Sequence, residues 1–394
     1  MSHYKPYPAY RDSGVKWIGQ VPEHWKKMPF KRVASICNGH DYKEVENADG
    51  AYPVIGSGGE FARASAFMFN GESVLLGRKG TIDKPLYING PFWAVDTMFY
   101  TKIADNAFPK FVYYNALTIP FGLYSTNTAL PSMAGEDLSS HLIVAPDFEE
   151  QKAIATCVDR ETTRIDALIT KKTRFIELLK EKRQALITHA VTKGLDPNVA
   201  MKDSGVEWIG VVPAHWSVAI LKRFVVFQRG HDLPSDTRVE GTVPVVSSGG
   251  YSGTHNVAIA KAPGIVTGRY GSLGEFTFVE EDYWPLNTAL YSIELHNNDH
   301  RFVWYLLQNI SDLFLLYSAK AAVPGIDRND IHEIYVAAPQ HDEQRQIAKY
   351  LDEQCDRINA ITEKTQRSID LLKERRAAFI TAAVTGQIDL RESA

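Results

Sequence analysis

The chain has 394 residues, of which 44% are hydrophobic and 23% are charged. This balance is typical of soluble globular proteins, and the length predicts two or three domains of roughly 100–200 residues each. Residues 1–10 show no basic stretch followed by an apolar core. No run reaches the ~18 apolar residues of a membrane span. We therefore expect a cytoplasmic protein.

The formal net charge is −4, whereas DNA-binding domains are usually basic. Residues 26–130 hold 11 Lys and Arg against 9 Asp and Glu, and residues 217–323 hold 8 against 10. A DNA-binding surface would therefore need local basic patches or a partner that supplies positive charge. The three cysteines, Cys37, Cys157 and Cys355, form neither a CxxC pair nor a set of metal ligands. We expect reduced thiols and no zinc site.

The chain is a tandem duplication. The segment DSGVKWIGQVPEHW at residues 12–25 recurs as DSGVEWIGVVPAHW at residues 203–216, an offset of 191 residues. After a slip of two residues, LLKEKRQALIT at residues 178–188 matches LLKERRAAFIT at residues 371–381. A match in such long register cannot come from composition bias, so the two halves should fold alike.

Each half begins with a globule, at residues 28–145 and 219–338. Short β-rich runs such as Ser73–Leu76 and Thr97–Ile103 alternate there with clusters of Gly, Asn and Ser. This pattern predicts an irregular α/β domain.

Each half ends with a long polar helix, predicted at residues 149–189 and 342–382, about 60 Å long at 1.5 Å per residue. Most of its apolar residues recur at steps of three and four, which predicts an amphipathic stripe of coiled-coil character. The stripe of the first copy comprises Ile154, Val158, Ile165, Leu168, Ile169, Phe175, Ile176, Leu179 and Leu186, and that of the second comprises Ile347, Leu351, Ile358, Ile361, Ile369, Leu372 and Phe379. The obvious partner for each stripe is the other helix.

Connectivity makes this helix pair antiparallel. Only a linker at residues 190–212 separates the first helix from the second globule, so the second helix has to run back. We expect a division into residues 1–148, 149–189, 190–341, 342–382 and 383–394, with one globule at each end of the pair. The two chain ends together resemble the internal linker, so they should lie close together, and the molecule should be pseudo-two-fold.

These motifs resemble the DNA-specificity subunits of type I restriction–modification systems. The resemblance rests on the repeated DSGVxWIGxVPxHW, on the P-x3-EQ sequences at Pro146–Gln151 and Pro339–Gln344, and on the LLKE helix segments. It covers essentially the whole chain in the family's order. It implies an α+β fold with two α/β target-recognition domains in tandem duplication, separated by a pair of long antiparallel coiled-coil helices.

The resemblance also implies function and partners. Each domain would read one half of an asymmetric, interrupted site on double-stranded DNA, and the helices would fix the spacer length. Two adenine methyltransferase subunits would dock on the chain, and two restriction subunits would add translocation and cleavage. We expect no cofactor in this chain, because S-adenosylmethionine, ATP and Mg would be bound by the partner subunits.

The missing motifs agree with a non-catalytic subunit. The sequence contains no G-x4-G-K-[ST] phosphate loop and no Asp/Asn-Pro-Pro-aromatic tetrapeptide, which argues against an ATPase and an amino-methyltransferase. Two alternatives stay open: a self-contained DNA-modifying enzyme with unfamiliar motifs, and a structural coiled-coil protein without DNA recognition.

Candidate DNA contacts occur in matched turns. Arg78 and Lys79, like Arg269 and Tyr270, stand between two glycines after an apolar run. An arginine there could bind guanine or a phosphate, although a hairpin turn with a solvated side chain is the plainer interpretation.

Two further pairs of candidates are weaker. Ser57 and Gly58, like Ser248 and Gly249, offer hydroxyl and backbone N–H groups that suit phosphates, but flexible loops look the same. The Lys-Arg pairs could hold phosphates or be ordinary surface charge; they are Lys31, Arg32, Lys222 and Arg223.

Two aromatic sets complete the candidates. His40 and His231, in Gly-His-Asp turns, could touch DNA or simply shape a turn, and nothing around them makes a metal site. Four tryptophans lie outside the main helices, and we interpret them as packing residues where the linker meets globule and helix, with docking of the methyltransferase subunit as the alternative. They are Trp17, Trp25, Trp208 and Trp216.

Overall fold

A computed structural model describes residues 4–125, 131–318 and 325–391 of the chain. The chain forms two compact units, the first from Met1–Thr173 with Arg367–Ala394 and the second from Arg174–Gln366. Each unit therefore holds one globule and a part of both long helices. The division into five segments that the sequence suggests stays a prediction.

The described residues of the first unit form ten strands and two short helices, and the first long helix begins in this unit. The elements are β1 (Tyr10–Asp12), β2 (Gln20–Pro22), β3 (Lys26–Pro29), β4 (Ala34–Asn38), β5 (Tyr52–Gly56), β6 (Gly59–Ala64), β7 (Phe69–Gly77), β8 (Leu86–Ala94), β9 (Met98–Ile103), α1 (Pro109–Ala116), α2 (Gly135–Ser140), β10 (Leu142–Ala145) and α3 (Phe148–Lys193). Two single 3-10 turns, Phe30–Arg32 and Phe121–Leu123, join them.

The second unit repeats this order. Its elements are β11 (Met201–Asp203), β12 (Val211–Pro213), β13 (Ser217–Ile220), β14 (Val226–Arg229), β15 (Val243–Ser247), β16 (Gly250–His255), β17 (Gly264–Gly268), β18 (Phe276–Val279), β19 (Trp284–Pro285), β20 (Ala289–Glu294), α4 (His300–Asn309), α5 (Ser311–Ser318), α6 (Arg328–His332), β21 (Tyr335–Ala338) and α7 (His341–Val384). The 3-10 turns are Leu221–Arg223 and Ser235–Thr237.

β-Sheet forms the centre of each globule. In the first unit six strands lie in the order β4-β9-β7-β8-β5-β6, and β5 and β8 are parallel. In the second unit the equivalent strands form two sheets, β14-β20-β17-β18 and β16-β15-β19, because the counterpart of β8 is divided into β18 and β19. The central strand β7 is fully buried from Ser73 to Gly77. A continuous apolar run of this kind is typical of a strand covered on both faces.

Two small hairpin-like sheets connect each globule to the long helices. The strand that opens the globule pairs with the one that closes it, β3 with β10 and β13 with β21. The segment before the globule folds back on itself through β1 with β2 and β11 with β12. The repeated N-terminal motif therefore forms a small sheet that is separate from the sheet of the globule.

The long helices pack against each other in antiparallel order within each unit. In the first unit, Ile154 and Val158 near the start of α3 share a core with Phe379 and Val384 near the end of α7. In the second unit, Ile187 and other residues near the end of α3 share a core with residues 347–355 near the start of α7. The antiparallel pairing expected from connectivity is confirmed.

The coiled-coil stripe is only partly buried. Ile165 and Leu179 are buried as expected, but Leu168, Phe175 and Ile361 are 41%, 44% and 43% exposed. The expectation that the other helix covers the whole stripe is wrong at these positions. Two helices bury a single narrow seam, so apolar residues on the flanks of that seam stay in water.

Glycine sets where each helix ends. The sequence predicted ends at residues 189 and 382, but α3 continues to Lys193 and α7 to Val384. Gly194 and Gly386 follow with φ of +76° and +73°. This left-handed conformation ends a helix and is easiest for glycine.

Described residues close to the two chain ends contact each other in the first unit, as the resemblance of these segments to the linker predicts. The backbone N–H of Asp389 donates to the carbonyl of Lys5 at 2.8 Å, and the guanidinium of Arg391 lies 5.0 Å from the centre of the Tyr7 ring.

Candidate nucleic-acid interface

A short loop between two strands organises the turns that carry the candidate residues. In the first unit this junction loop comprises residues 95–97, between β8 and β9. A Cβ at Gly39 would lie 2.0 Å from the carbonyl oxygen of Val95, so the Gly-His-Asp turn can approach the loop only because position 39 is glycine. The N–H of His40 then donates to the carbonyl of Ala94 at 2.9 Å.

Two further turns reach the same loop. The N–H of Val95 donates to the carbonyl of Ile55, just before the Ser57-Gly58 turn. The N–H of Arg78 donates to the carbonyl of Thr97 at 2.8 Å, and its guanidinium Nη1 lies 3.3 Å from the carbonyl of Asp96. Three motifs that are far apart in the sequence therefore meet at one place.

The second unit builds the same arrangement around residues 286–288. A Cβ at Gly230 would lie 2.1 Å from the carbonyl oxygen of Leu286. The N–H of Leu286 donates to the carbonyl of Val246 at 2.8 Å, and the N–H of Arg269 donates to the carbonyl of Thr288 at 2.9 Å. Ser248 and Gly249 belong to the turn that follows β15. The backbone scheme is the same in both units.

The side chains on this shared backbone differ. Lys79 of the first unit is replaced by Tyr270 in the second, and Asp96 by Asn287, whose side-chain amide donates to the carboxylate of Asp232. Such differences change both the charge and the hydrogen-bonding pattern that each surface presents.

The basic side chains of the turns have no carboxylate partner within the described residues. Lys79 is exposed and Arg78 and Arg269 are half-buried, and none of the three forms a salt bridge to another described residue. Arg269 instead stacks on Tyr270, with Cζ 4.7 Å from the ring centre. Their positive charge is therefore available to an external anion.

The Lys-Arg pairs lie elsewhere in each globule. Lys31 and Arg32 end the 3-10 turn just before β4, whereas the Gly-His-Asp turn comes directly after that strand. Lys222 and Arg223 have the same place before β14. All four are exposed, but the structure does not bring them to the junction loop.

The two histidines of the Gly-His-Asp turns differ in surroundings. His40 is exposed, and its carbonyl accepts from Trp93 Nε1 at 3.0 Å. His231 Nε2 lies 3.4 Å from the hydroxyl of Tyr291. Both turns are structural because their backbones hold the junction loop, and contact of either imidazole with DNA stays a prediction.

The tryptophans of the repeated motif divide into two kinds. Trp25 and Trp216 are fully buried, and their Nε1 groups donate to Glu150 and Glu343 at 3.0 and 3.1 Å. Both rings therefore lie where the repeated motif meets the start of a long helix. Docking of a partner by Trp25 or Trp216 stays a prediction.

The other two tryptophans, Trp17 and Trp208, are 48% and 45% exposed. Each borders a cleft beside the end of a long helix, with a volume of about 80 Å³ next to Trp17 and about 320 Å³ next to Trp208. Trp17 stacks on His141, and burial lowers the pKa of His141 to about 4, so this imidazole is neutral at pH 7.

Sequence reasoning missed what the P-x3-EQ motif does. Gln151 accepts from the N–H of Phe108 at 2.9 Å and donates to the carbonyl of Pro146. Gln344 repeats this with Asp299 and Pro339. Each glutamine thus ties the start of a long helix to the start of α1 or α4. The equal spacing of the motif in both halves was the available signal.

Within the described part of the chain, no group of three or more His, Cys, Asp and Glu side chains could hold a metal ion. None of the helices described there has the length and apolar character needed to cross a membrane.

A family model described as the type I restriction modification DNA specificity domain matches the chain twice, over residues 22–178 and 214–371. The specificity subunit of the type I restriction enzyme EcoBI from Escherichia coli is 20% identical over 423 residues, which cover 96% of this chain and 89% of that protein.

Solved structures show the same fold. A chain from a type I R-M system, whose structure concerns complex assembly and conformational transition, has a TM-score of 0.73 at 14% identity, covering 93% of this chain and 99% of that one. The HsdS subunit from Thermoanaerobacter tengcongensis has a TM-score of 0.53 at 14% identity, covering 96% of this chain and 100% of that one.

The duplicated sequence, the repeated domain and the two matches to the family model agree. The chain belongs to the type I restriction modification DNA specificity family, and it is a specificity subunit with two recognition domains.

Proposed function

We propose that each recognition domain reads one half of an asymmetric, bipartite DNA site through the turns at its junction loop. The observation that carries this proposal is the contrast between backbone and side chains. The same turns converge in both units, yet Lys79 is replaced by Tyr270 and Asp96 by Asn287. Two readers with one backbone and unlike side chains are suited to two different half-sites.

The chemistry of the turns fits such a role. Arg78 and Arg269 can each donate two parallel hydrogen bonds to guanine O6 and N7. Ser57 and Ser248 offer hydroxyls in two-residue turns where the next residue, Gly58 or Gly249, leaves the backbone N–H accessible to a phosphate. Lys31 and Lys222, with the arginines beside them, would contact phosphates outside the half-site.

We also propose that the long helices fix the gap between the half-sites. α3 and α7 are continuous over 46 and 44 residues, about 69 and 66 Å at 1.5 Å per residue. Because spacing between half-sites on DNA follows from protein dimensions, a helix pair of constant length would select one gap.

The proposal assigns catalysis to partner subunits. Two methyltransferase subunits would dock on this chain and bind S-adenosylmethionine, and restriction subunits would bind ATP and Mg. The chain itself would be a non-catalytic cytoplasmic protein without a cofactor. Neither the enzyme alternative nor the purely structural one is favoured by the family match.

A domain exchange tests the proposal. Residues 28–145 are replaced by the corresponding segment of another family member, and the complex with the methyltransferase is expressed in a host whose methylated bases are then sequenced. We expect one half-site to change while the other half-site and the gap are retained. If both half-sites change, or neither does, the assignment of one half-site to each domain is refuted.

A further inference from the structure

The arginine at the junction loop is held differently in the two units. In the first unit the guanidinium of Arg78 lies 5.8 Å from the centre of the Phe99 ring and 3.3 Å from the carbonyl of Asp96. Leu290 stands at the position of Phe99 in the second unit, so that ring is absent there. The Arg269 guanidinium lies 4.7 Å from the centre of the Tyr270 ring instead.

The Tyr270 ring has its own support. A Cβ at Gly325 would lie 2.5 Å from Cε1 of Tyr270 and 2.8 Å from its Cδ1, so the ring rests against a position where a side chain would collide with it. The N–H of Ile326 donates to the carbonyl of Arg269 at 3.0 Å and holds the two segments together.

The first unit has no aromatic ring at the position that matches Tyr270, and no glycine at the position that matches Gly325. Ser132 stands where the second unit has Gly325, and Lys79 stands where it has Tyr270. Lys79 and Ser132 pair through their backbones, and the Lys79 side chain is exposed. Three differences therefore occur together: loss of the ring at 290, gain of a ring at 270, and glycine at 325.

An arginine that stacks on an aromatic ring should discriminate between bases better than an arginine that moves freely. Binding through a guanidinium requires its plane to align with the base edge, and an arginine already held in one orientation loses less side-chain entropy on binding. In the second domain the exposed Tyr270 lies against the arginine, as the buried Phe99 does in the first domain.

We propose that Tyr270, seated on Gly325, is a positioning residue that orients Arg269 and thereby sets the base preference of the second half-site. This inference rests on the proposed function, because it assumes that the second domain reads DNA through Arg269. It assigns no base contact to the tyrosine hydroxyl.

The experiment compares Tyr270→Phe with Tyr270→Leu in the complex with the methyltransferase. Binding is measured to duplexes in which each base pair of the second half-site is varied. Tyr270→Phe keeps the ring and should retain the preference. Tyr270→Leu removes the ring and should weaken discrimination at one base pair by about 2- to 5-fold, the size of a surface cation–π contact. The first half-site and the gap should be unaffected.

Two further variants test the contact beneath the Tyr270 ring and supply a matched control in the first domain. Gly325→Ser introduces the first unit's residue and should displace the ring, so it should weaken discrimination at the same base pair as Tyr270→Leu. Lys79→Leu is the matched change in the first domain, where the lysine does not stack on its arginine. It should lower affinity for all sequences alike and reduce the salt dependence.

The outcomes separate this inference from the function beneath it. If Tyr270→Phe loses as much discrimination as Tyr270→Leu, the hydroxyl and not the ring is what matters, and the inference is overturned. If Arg269→Ala relaxes one base pair while Tyr270→Leu changes nothing, the positioning role fails and the proposed reading by Arg269 stands. If Arg269→Ala also changes nothing, reading of DNA at this turn is refuted.

Discussion

At the scale of single residues, one carboxylate in each unit joins the N-terminal motif to the long helix. Glu150 is 8% exposed and accepts from Tyr7 OH at 2.8 Å and from Trp25 Nε1 at 3.0 Å, with His24 Nε2 2.9 Å away. Its counterpart Glu343 is 32% exposed.

Removing this carboxylate should destabilise the first unit more than the second. Glu150→Ala leaves the buried donors of Trp25 and Tyr7 without a partner, which should lower the free energy of unfolding by about 3 kcal/mol. Glu343→Ala leaves one buried donor, Trp216 Nε1, without its partner. It should therefore lower the free energy of unfolding by only about 1 kcal/mol. Denaturant unfolding of the two variants measures the difference. Equal losses, or a larger loss for Glu343→Ala, would show that burial of the carboxylate does not set its contribution.

The sequence singled out candidate residues only where both halves carry the same turn. The matched turns at Arg78 and Arg269 stood out because both halves carry them. The role of Glu150 did not, because its partner Trp25 lies 125 residues away and no local pattern records such a hydrogen bond. The candidate DNA contacts themselves stay predictions.

At the scale of elements, a glycine follows the end of each long helix, and the two glycines differ in how close their neighbours lie. Gly194 and Gly386 both adopt a left-handed φ after a long helix. A Cβ at Gly386 would lie 2.3 Å from Cδ of Pro22, whereas one at Gly194 would lie 3.4 Å from Oε1 of Glu343, the end of a flexible side chain.

Alanine at these two positions should therefore have unequal effects. Gly194→Ala should lower the free energy of unfolding by about 1 kcal/mol, the strain of a non-glycine residue at positive φ. Gly386→Ala adds a collision with the Pro22 ring, so its loss should be about 2 kcal/mol or more. The measurement is the unfolding midpoint in urea. A smaller loss for Gly386→Ala than for Gly194→Ala would contradict this assignment of the helix ends.

The sequence predicted two strands of the first globule and both long helices, but not the other elements. The strand at Ser73–Leu76 lies inside β7, and the run at Thr97–Ile103 became β9. The exposure of Leu168 and Phe175 was not predictable, because periodicity shows which residues share a face but not how much of that face a single partner helix covers. In the second unit the counterpart of β8 is divided into β18 and β19, and we recognised no signal for this division in the sequence.

At the scale of the whole molecule, a chain with net charge −4 belongs to a DNA-specificity family, and its two units carry the same arrangement of turns. Each domain places basic side chains without a carboxylate partner among the described residues at its turns, Arg78 and Lys79 in the first unit and Arg269 in the second. Duplication also lets the two domains diverge at Lys79 and Tyr270 while their backbones stay alike. The family and the duplicated architecture followed from the sequence, whereas the junction loops that gather the turns required the structure.

The most direct measurement of the account lengthens both long helices and reads the methylated site. Four residues inserted after Lys172 and four after Arg367 add about one turn, ~6 Å, to each helix, which corresponds to roughly two base pairs of DNA. Point variants Lys172→Ala and Arg367→Ala without an insertion serve as controls. Sequencing of methylated bases in the host should reveal both half-sites unchanged and a gap about two base pairs longer. Methylation at the original gap, or altered half-sites, would contradict the proposal that the helices set the spacing between two separate readers.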